Sequence, residues 1–361
     1  MSVCVTGVEQ MPQELAAWRL DLAGGEVLRR GGSGSGATVR QVQRGLRALG
    51  YLTAGIDGDF GLATELAVKG VQHDLLHNEG HGRDGPAPVG VVDFNRGRVA
   101  GVTGAVDRGL ADCLEEMMAS AAWVKLPRAE DAAGENERAR QALRGLRPVR
   151  VPTPFLVGVC RQESQLQHFN EPVGEDEDTY VRVGFDRKKG EGHVVTSRGY
   201  GIGQYTLFHH PPTEDKVRDF MIDPVGNVNK AIDELEDKFL HYVIGRTSGT
   251  TAEDRVAEHG GGPLRYCRIS DRTDPLWMND CANCLGQLPT CTVRVGETPL
   301  YKGCPRLYTK TRYYKRAAYE EAPVRESIPC DWPYAVRRYN GSGVNSYHYQ
   351  TIVLLNVKAG S

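Results

Sequence analysis

Apolar positions recur at helical spacing through most of this chain, in short bursts broken by glycine-rich turns. Val42, Leu46 and Leu49 share one face of a helix that Thr38 can cap and Gly50 ends. Ala67, Val68, Val71 and Leu75 line a second helix, after the turn Ile56-Asp57-Gly58-Asp59-Phe60-Gly61. Leu110, Leu114 and Met117 line a third within residues 104–119. Three such helices make a small, complete core. The run from Gly31 to Gly36 reads as a flexible linker. Residues 1–26 read as an arm in which Met11 to Leu22 can form one helix.

Residues 121–150 are rich in Ala, Arg and Glu, the signature of a solvated helix or linker ending near Pro148. Thr153 can then cap a helix, and Pro154 suits its first position. Phe155, Leu156, Val159, Cys160 and Leu166 form its apolar stripe. Residues 170–196 are dense in charge and glycine and read as a solvated loop, or as a lid over a groove. Asp223 and Pro224 start a long helix with the stripe Val228, Ile232, Leu235, Phe239 and Tyr242. Ala335 to Tyr339 is helical, Asn340 to Gly343 breaks it, and Asn345 begins the last helix. The fold class is mainly α.

Length and composition sharpen this picture. A chain of 361 residues suggests two or three domains. The expected division is 1–26 arm, 27–120 small domain, 121–150 connector and 151–361 large domain, with an insertion near 245–330. Lys and Arg number 44 against 46 Asp and Glu, a balance that argues against a nucleic-acid partner. No apolar run approaches the roughly 20 residues of a membrane span. The first twenty residues lack a basic start and a continuous apolar stretch, so they do not read as a secretory leader.

Chemistry concentrates between Thr153 and Thr206. Glu163 falls on the apolar stripe of its helix. Desolvation there is expected to raise its pKa, as a general acid working near neutrality requires. The competing reading is an acid at the edge of the stripe, paired with Arg161 or Arg198. Gly199-Tyr200-Gly201-Ile202-Gly203-Gln204 lets backbone approach a ligand, and Gln204 adds a neutral donor and acceptor suited to sugars. No Gly-Lys-Ser/Thr follows, so this is not a phosphate loop.

Gln162-Glu163-Ser164, Gly201-Ile202-Gly203-Gln204, Asp223-Pro224 with Asn227, and Arg338-Tyr339-Asn340-Gly341 occur in one order. This series resembles the lysozyme-like fold of lytic transglycosylases and goose-type lysozymes, over roughly residues 150–358. Ile202-Gly203 departs from the Leu-Met of that family. The resemblance implies cleavage of the β-1,4 bond from N-acetylmuramic acid to N-acetylglucosamine, with Glu163 as acid and no cofactor. It implies substrate contacts at Ser164, Gly201, Ile202, Gln204, Tyr205, Tyr339 and Asn340, with the Tyr339 hydroxyl toward the acid. A hydrolase of this type needs a second carboxylate, for which Asp176 and Asp186 are candidates. A transglycosylase does not, and it is the expected outcome. A non-catalytic glycan-gripping domain and a chitinase are the alternatives.

Residues 27–120 resemble the helical peptidoglycan-binding domain of cell-wall hydrolases. Gln43, Leu46, Leu49-Gly50-Tyr51, Asp57-Gly58, Phe60-Gly61, Thr64, Ala67-Val68 and Gln72 carry the likeness, interrupted by a polar insertion from His77 to Pro88. The implied partner is peptidoglycan and the implied place of action the bacterial envelope. Without a leader, phage lysis or an injection machine is the expected route, with an immunity protein or a secretion component as protein partner. Asp57 and Asp59 lack the other ligands of a calcium loop.

Six of the nine cysteines lie in residues 245–330: Cys267, Cys281, Cys284, Cys291, Cys304 and Cys330. Cys281-x-x-Cys284 invites zinc with Cys291 and Cys304, an oxidising envelope invites disulfides, and free thiols are the third reading. Basic and aromatic residues from Lys310 to Arg316 suit either a solvated surface or anionic wall polymers.

Overall fold

Ser35, rather than Thr38, opens the first helix in the computed structural model of this chain. Its backbone is extended and its hydroxyl accepts from the Thr38 amide at 3.1 Å, capping α1 (Gly36–Ala48). The glycine-serine run is thus a turn feeding a cap, not a free linker, and just before it Leu28 pairs with Val106 through two backbone bonds. The residues described are 18–22, 25–146, 150–172, 179–246, 262–290, 321–323, 325–341 and 344–360. Most of residues 1–26, the 310–316 segment, Asp176, Cys291 and Cys304 lie outside them.

Contacts group the chain into two compact units, one of residues 1–139 with 167–227, the other of residues 140–166 with 228–361. The linear division expected at residue 150 differs from this grouping, because residues 167–227 return to the first unit.

In the first unit, α2 (Leu62–His77) buries Ala67, Val68, Val71 and Leu75 as the periodicity predicts. Helix α3 (Arg108–Ala119) buries Leu110, Leu114 and Met117 and starts after Gly104, where Asp107 accepts from the Leu110 amide. Gly50, at φ +81°, ends α1. Residues 121–131 are solvated only in part: Trp123 and Leu126 are buried, and Leu126 N donates to Ala48 O at 2.9 Å. Helix α4 (Ala132–Gly145) also buries Asn136 and Ala139.

The stretch read as a solvated loop instead contributes β3 (Val183–Arg187) and the start of β4 (Val195–Tyr200) to an antiparallel sheet that β5 (Tyr205–Leu207) completes, in that order. The alternation Val181-Arg182-Val183-Gly184-Phe185 carries the period-two signal beneath the charge. The polar insertion after α2 makes a small hairpin, β1 (His81–Gly82) and β2 (Gly85–Pro86). Asp84 at its tip accepts from Phe208 N at 2.9 Å and meets His209 Nδ1 at 3.0 Å. A Cβ on Gly82 would lie 2.6 Å from the Phe208 backbone, so glycine permits this docking.

A polar cluster ties sheet to helices inside this unit. Buried Asp74 on α2 accepts from Tyr51 Oη at 2.9 Å and lies 3.4 Å from Arg198 on β4. Burial pushes the Asp74 pKa up. His73 beside it, the Arg198 charge and the Tyr51 hydroxyl outweigh burial and hold it below the ordinary range.

The second unit contains α5 (Thr153–Ser164), most of α6 (Pro224–Lys238), α7 (Cys281–Gly286), α8 (Trp332–Tyr339) and α9 (Val344–Lys358). Thr153 does not cap α5; its hydroxyl donates to Leu146 O at 3.3 Å, and Pro152 precedes the helix. Val228, Leu235 and Phe239 are buried as expected. A π turn over Phe239–Val243 then rotates the stripe, so Val243 is buried and Tyr242 half-buried. Helices α5 and α9 pack closely at Gly158, where an added Cβ would stand 3.1 Å from Val357 and 3.2 Å from Val353. Phe239 stacks on Trp332 at 4.1 Å. Among the described residues no helix is long and apolar enough to cross a membrane.

Candidate functional site

The C-terminal turn of α5 presents Glu163. Phe155, Leu156, Val159 and Cys160 face the core behind it, and Glu163 is half-buried. The helix stops at Ser164 because Gln165 and Leu166 adopt left-handed backbone, φ 59° and 62°. Leu166 therefore leaves the stripe that the sequence assigns it to. Ser164 is buried and its hydroxyl donates to Cys160 O at 2.9 Å, within its own helix.

Two tyrosines come to Glu163 within the same unit. Tyr339 ends α8 and Tyr349 lies on α9. Burial, then the charges of Cys160 and Glu163, lift the Tyr339 phenol well above its usual pKa. Burial, then the Glu163 charge, does the same for Tyr349. Both hydroxyls therefore remain neutral donors across the physiological range. Tyr349 Oη is buried and lies within electrostatic reach of Glu163, but makes no hydrogen bond of ordinary geometry in the structure. Sequence reasoning names Tyr339 and misses Tyr349, whose position on an apolar helix carries no signal of its own. Glu234 on α6 also acts on Tyr339 and is ion-paired with Lys238. Asn340 follows Tyr339, exposed at the end of α8.

The glycine loop belongs to the first unit and is held from below by two buried side chains. Asn227 donates to Tyr200 O at 2.9 Å and Phe220 O at 3.0 Å, and accepts from Gly203 N at 2.8 Å. His168 Nδ1 accepts from Ile202 N at 3.3 Å, which leaves Nε2 to donate to Met221 O at 2.8 Å. Burial pushes the His168 pKa down to about 4, so the ring is neutral. Asn136 in turn accepts from the amides of His168 and Phe169, at 2.7 and 2.9 Å. A lone histidine in a polar stretch gave no warning of this role.

Gly201 sits at φ +72°, and a Cβ there would fall 2.6 Å from both Asn227 and His168. Ile202, expected to meet substrate, is fully buried and packs instead. Gln204 bends back at φ 51° and its amide donates to Gly201 O at 2.7 Å, so that donor is engaged inside the turn. Tyr205 is half-buried with its ring edge on Phe220 at 4.8 Å.

Asp186 is exposed on β3, fixed by the Ser197 hydroxyl at 2.8 Å. Asp176 lies outside the described residues. Arg198, offered as a partner for Glu163, is committed to Asp74. Among the described residues no group of three or more His, Cys, Asp or Glu could hold a metal ion.

The helical part of the first unit has its own polar pins. Gln43 is buried on α1; its amide reaches Asp57, Asp59 O and Thr64, and its oxygen accepts from Gly58 N. This fixes the acidic turn and occupies the Asp57 carboxylate. Gln72 likewise binds Thr103, Gly104 and Ala105. A family model described as a putative peptidoglycan binding domain matches residues 35–75, which hold both glutamines and the turn. No curated protein and no solved structure matches the chain. The chain thus contains a peptidoglycan-binding domain, which associates it with the cell wall.

Proposed function

We propose that this protein cleaves peptidoglycan glycan strands at the β-1,4 bond between N-acetylmuramic acid and N-acetylglucosamine, as a lytic transglycosylase with Glu163 as general acid and base. The observation that carries the reading is Glu163 standing at a helix end with two neutral phenols, Tyr339 and Tyr349, beside it. The peptidoglycan-binding domain in the same chain supports the substrate class. Tethering raises the concentration of a polymeric substrate at a site without altering its chemistry.

In this mechanism the Glu163 carboxyl gives its proton to the glycosidic oxygen, and the bond to C1 of the muramic residue breaks. The 6-hydroxyl of that residue then attacks C1, and the Glu163 carboxylate takes its proton. The products are a free N-acetylglucosamine 4-hydroxyl and a 1,6-anhydro end, with no water consumed. Tyr339 and Tyr349 keep neutral phenols beside the carboxyl in both of its protonation states.

The experiment is digestion of purified sacculi in heavy-oxygen water, with the fragments weighed. Unlabelled 1,6-anhydro ends are expected. Labelled reducing ends would make water the nucleophile, and the enzyme a hydrolase with a second carboxylate. Asp176 and Asp186 would then be the first residues to mutate. Intact glycan after binding would leave a wall-binding protein without catalysis.

A further inference from the structure

The second unit gathers four thiols that the proposed chemistry does not use. Cys267, Cys281, Cys284 and Cys330 all line one small, partly open pocket against Phe155 and Trp332. All four are free and half-buried. The sulfurs of Cys267 and Cys281 meet the same residue: Met278 N donates to Cys267 Sγ at 3.3 Å, and Cys281 Sγ points to Met278 O at 3.8 Å. Cys281 and Cys284 lie three residues apart, one helical turn, in α7, whereas Cys267 and Cys330 reach the pocket from the segments on either side in sequence.

The segment that holds three of them has little else to fold it. Across residues 262–290 only Met278 and Leu285 are buried apolar side chains. Segments with so small a core are ordinarily closed by a crosslink or a metal. Among the described residues no group of three or more stands in metal-holding geometry, whereas a crosslink needs the thiols only in pairs.

We propose that these four thiols form a redox staple that closes into two disulfides in an oxidising compartment, each α7 cysteine joining one flanking cysteine. A bond within α7 would span a single turn and tie nothing together. Bonds to Cys267 and Cys330 fasten the helix to segments 14 to 17 residues before it and 46 to 49 residues after it, and a crosslink restrains the unfolded chain more as the loop it closes lengthens. Each closure converts two thiols and one external disulfide into one protein disulfide and two external thiols. The oxidant is a small-molecule or protein disulfide, and the two electrons and two protons pass to it. The proposal draws on the cell-wall reading only for the source of that oxidant.

Burial raises the pKa of Cys281, Cys284 and Cys330. Thiols held protonated are slow to exchange, which fits a staple that stays open while the chain is in a reducing cytosol.

The test uses the full chain, purified reduced, then incubated with oxidised glutathione and digested with trypsin without reduction. The α7 peptide carries Cys281, Cys284 and Cys291, so the expected product is one three-peptide species joining it to the peptides of Cys267 and Cys330, in which Cys291 is alkylated and fragmentation places the bonds on Cys281 and Cys284. Cys113 and Cys160 should remain alkylatable. Thermal melting should fall by about 5 °C or more on reduction. A Cys281–Cys284 bond, pairing with Cys4, Cys291 or Cys304, or thiols that stay free would overturn the proposal. So would stoichiometric zinc in the reduced chain. None of these readouts involves glycan cleavage, so failure of the catalytic reading leaves this result unchanged.

Discussion

The buried hydroxyl of Tyr349 lies beside the Glu163 carboxylate without completing an ordinary hydrogen bond to it. Such an arrangement is costly if it only stabilises the fold, because a desolvated hydroxyl gains little from an incomplete bond. It suits a carboxyl that changes protonation state during a reaction. Tyr349→Phe is expected to lower glycan cleavage about tenfold while the melting temperature holds or rises. An equal loss of activity and stability would assign Tyr349 to packing alone.

Glu163→Gln keeps size and polarity but removes the transferable proton. Lytic activity on cell-wall suspensions should fall by a factor of about 100 or more, with melting unchanged. Clearance near the wild-type rate would exclude Glu163 as the acid.

Gly201→Ala forces a side chain into left-handed backbone and against Asn227 and His168 at 2.6 Å. A loss of about 2 to 4 kcal/mol is expected in denaturant unfolding. Gly341 is the control: its φ is +97°, yet nothing lies within 4 Å of an added Cβ. Its alanine variant should lose only about 1 kcal/mol.

His168 gives the first unit a pH dependence of definite sign. Its pKa is about 4 in the folded chain against 6.5 ordinarily, so the unfolded state binds more protons between these values. Stability is complete above about pH 6.5 and is lost as pH falls toward 4, by about 3 kcal/mol at most. His210, also buried and pushed well down, adds in the same direction. His168→Gln should flatten the melting curve across this window; an unchanged acid slope would place the titration elsewhere.

Deleting residues 1–120 tests the grouping of the chain. Read as a detachable tether, that segment should leave a sound remainder. The contacts instead place Trp123, Leu126 and Tyr200 in the core of the removed helices, and Arg198 beside Asp74. The truncated chain should bind hydrophobic dyes and lose near-ultraviolet dichroism. A soluble product with a sharp melting transition would refute this.

The helices were largely legible from the sequence, and the two units were not. Val42, Leu46, Val68 and Leu75 repeat at helical spacing and are buried accordingly. Periodicity reports which face of an element is covered, not what covers it. The sheet hid because its alternation lies among charges, and only partners distant in sequence make the strands worthwhile. In the candidate site, Glu163 stood out as a carboxylate on an apolar stripe. Substrate contacts at Ser164 and Ile202 were expected from a motif, which carries order but not side-chain direction, and both residues are buried. Tyr349 and His168 were invisible, since each acts through a neighbour brought by the fold.

The joint between β4 and α2 also bears on how the chain is made. Tyr51, Asp74 and Trp123 leave the ribosome well before Arg198 and His210, which complete their surroundings. At about 5 to 20 residues per second, the gap lasts on the order of several seconds. During that time the nascent helices carry an open polar and aromatic cleft. A chaperone that recognises exposed aromatics has its opportunity there, and synthesis halted before residue 198 would yield a body that cannot close.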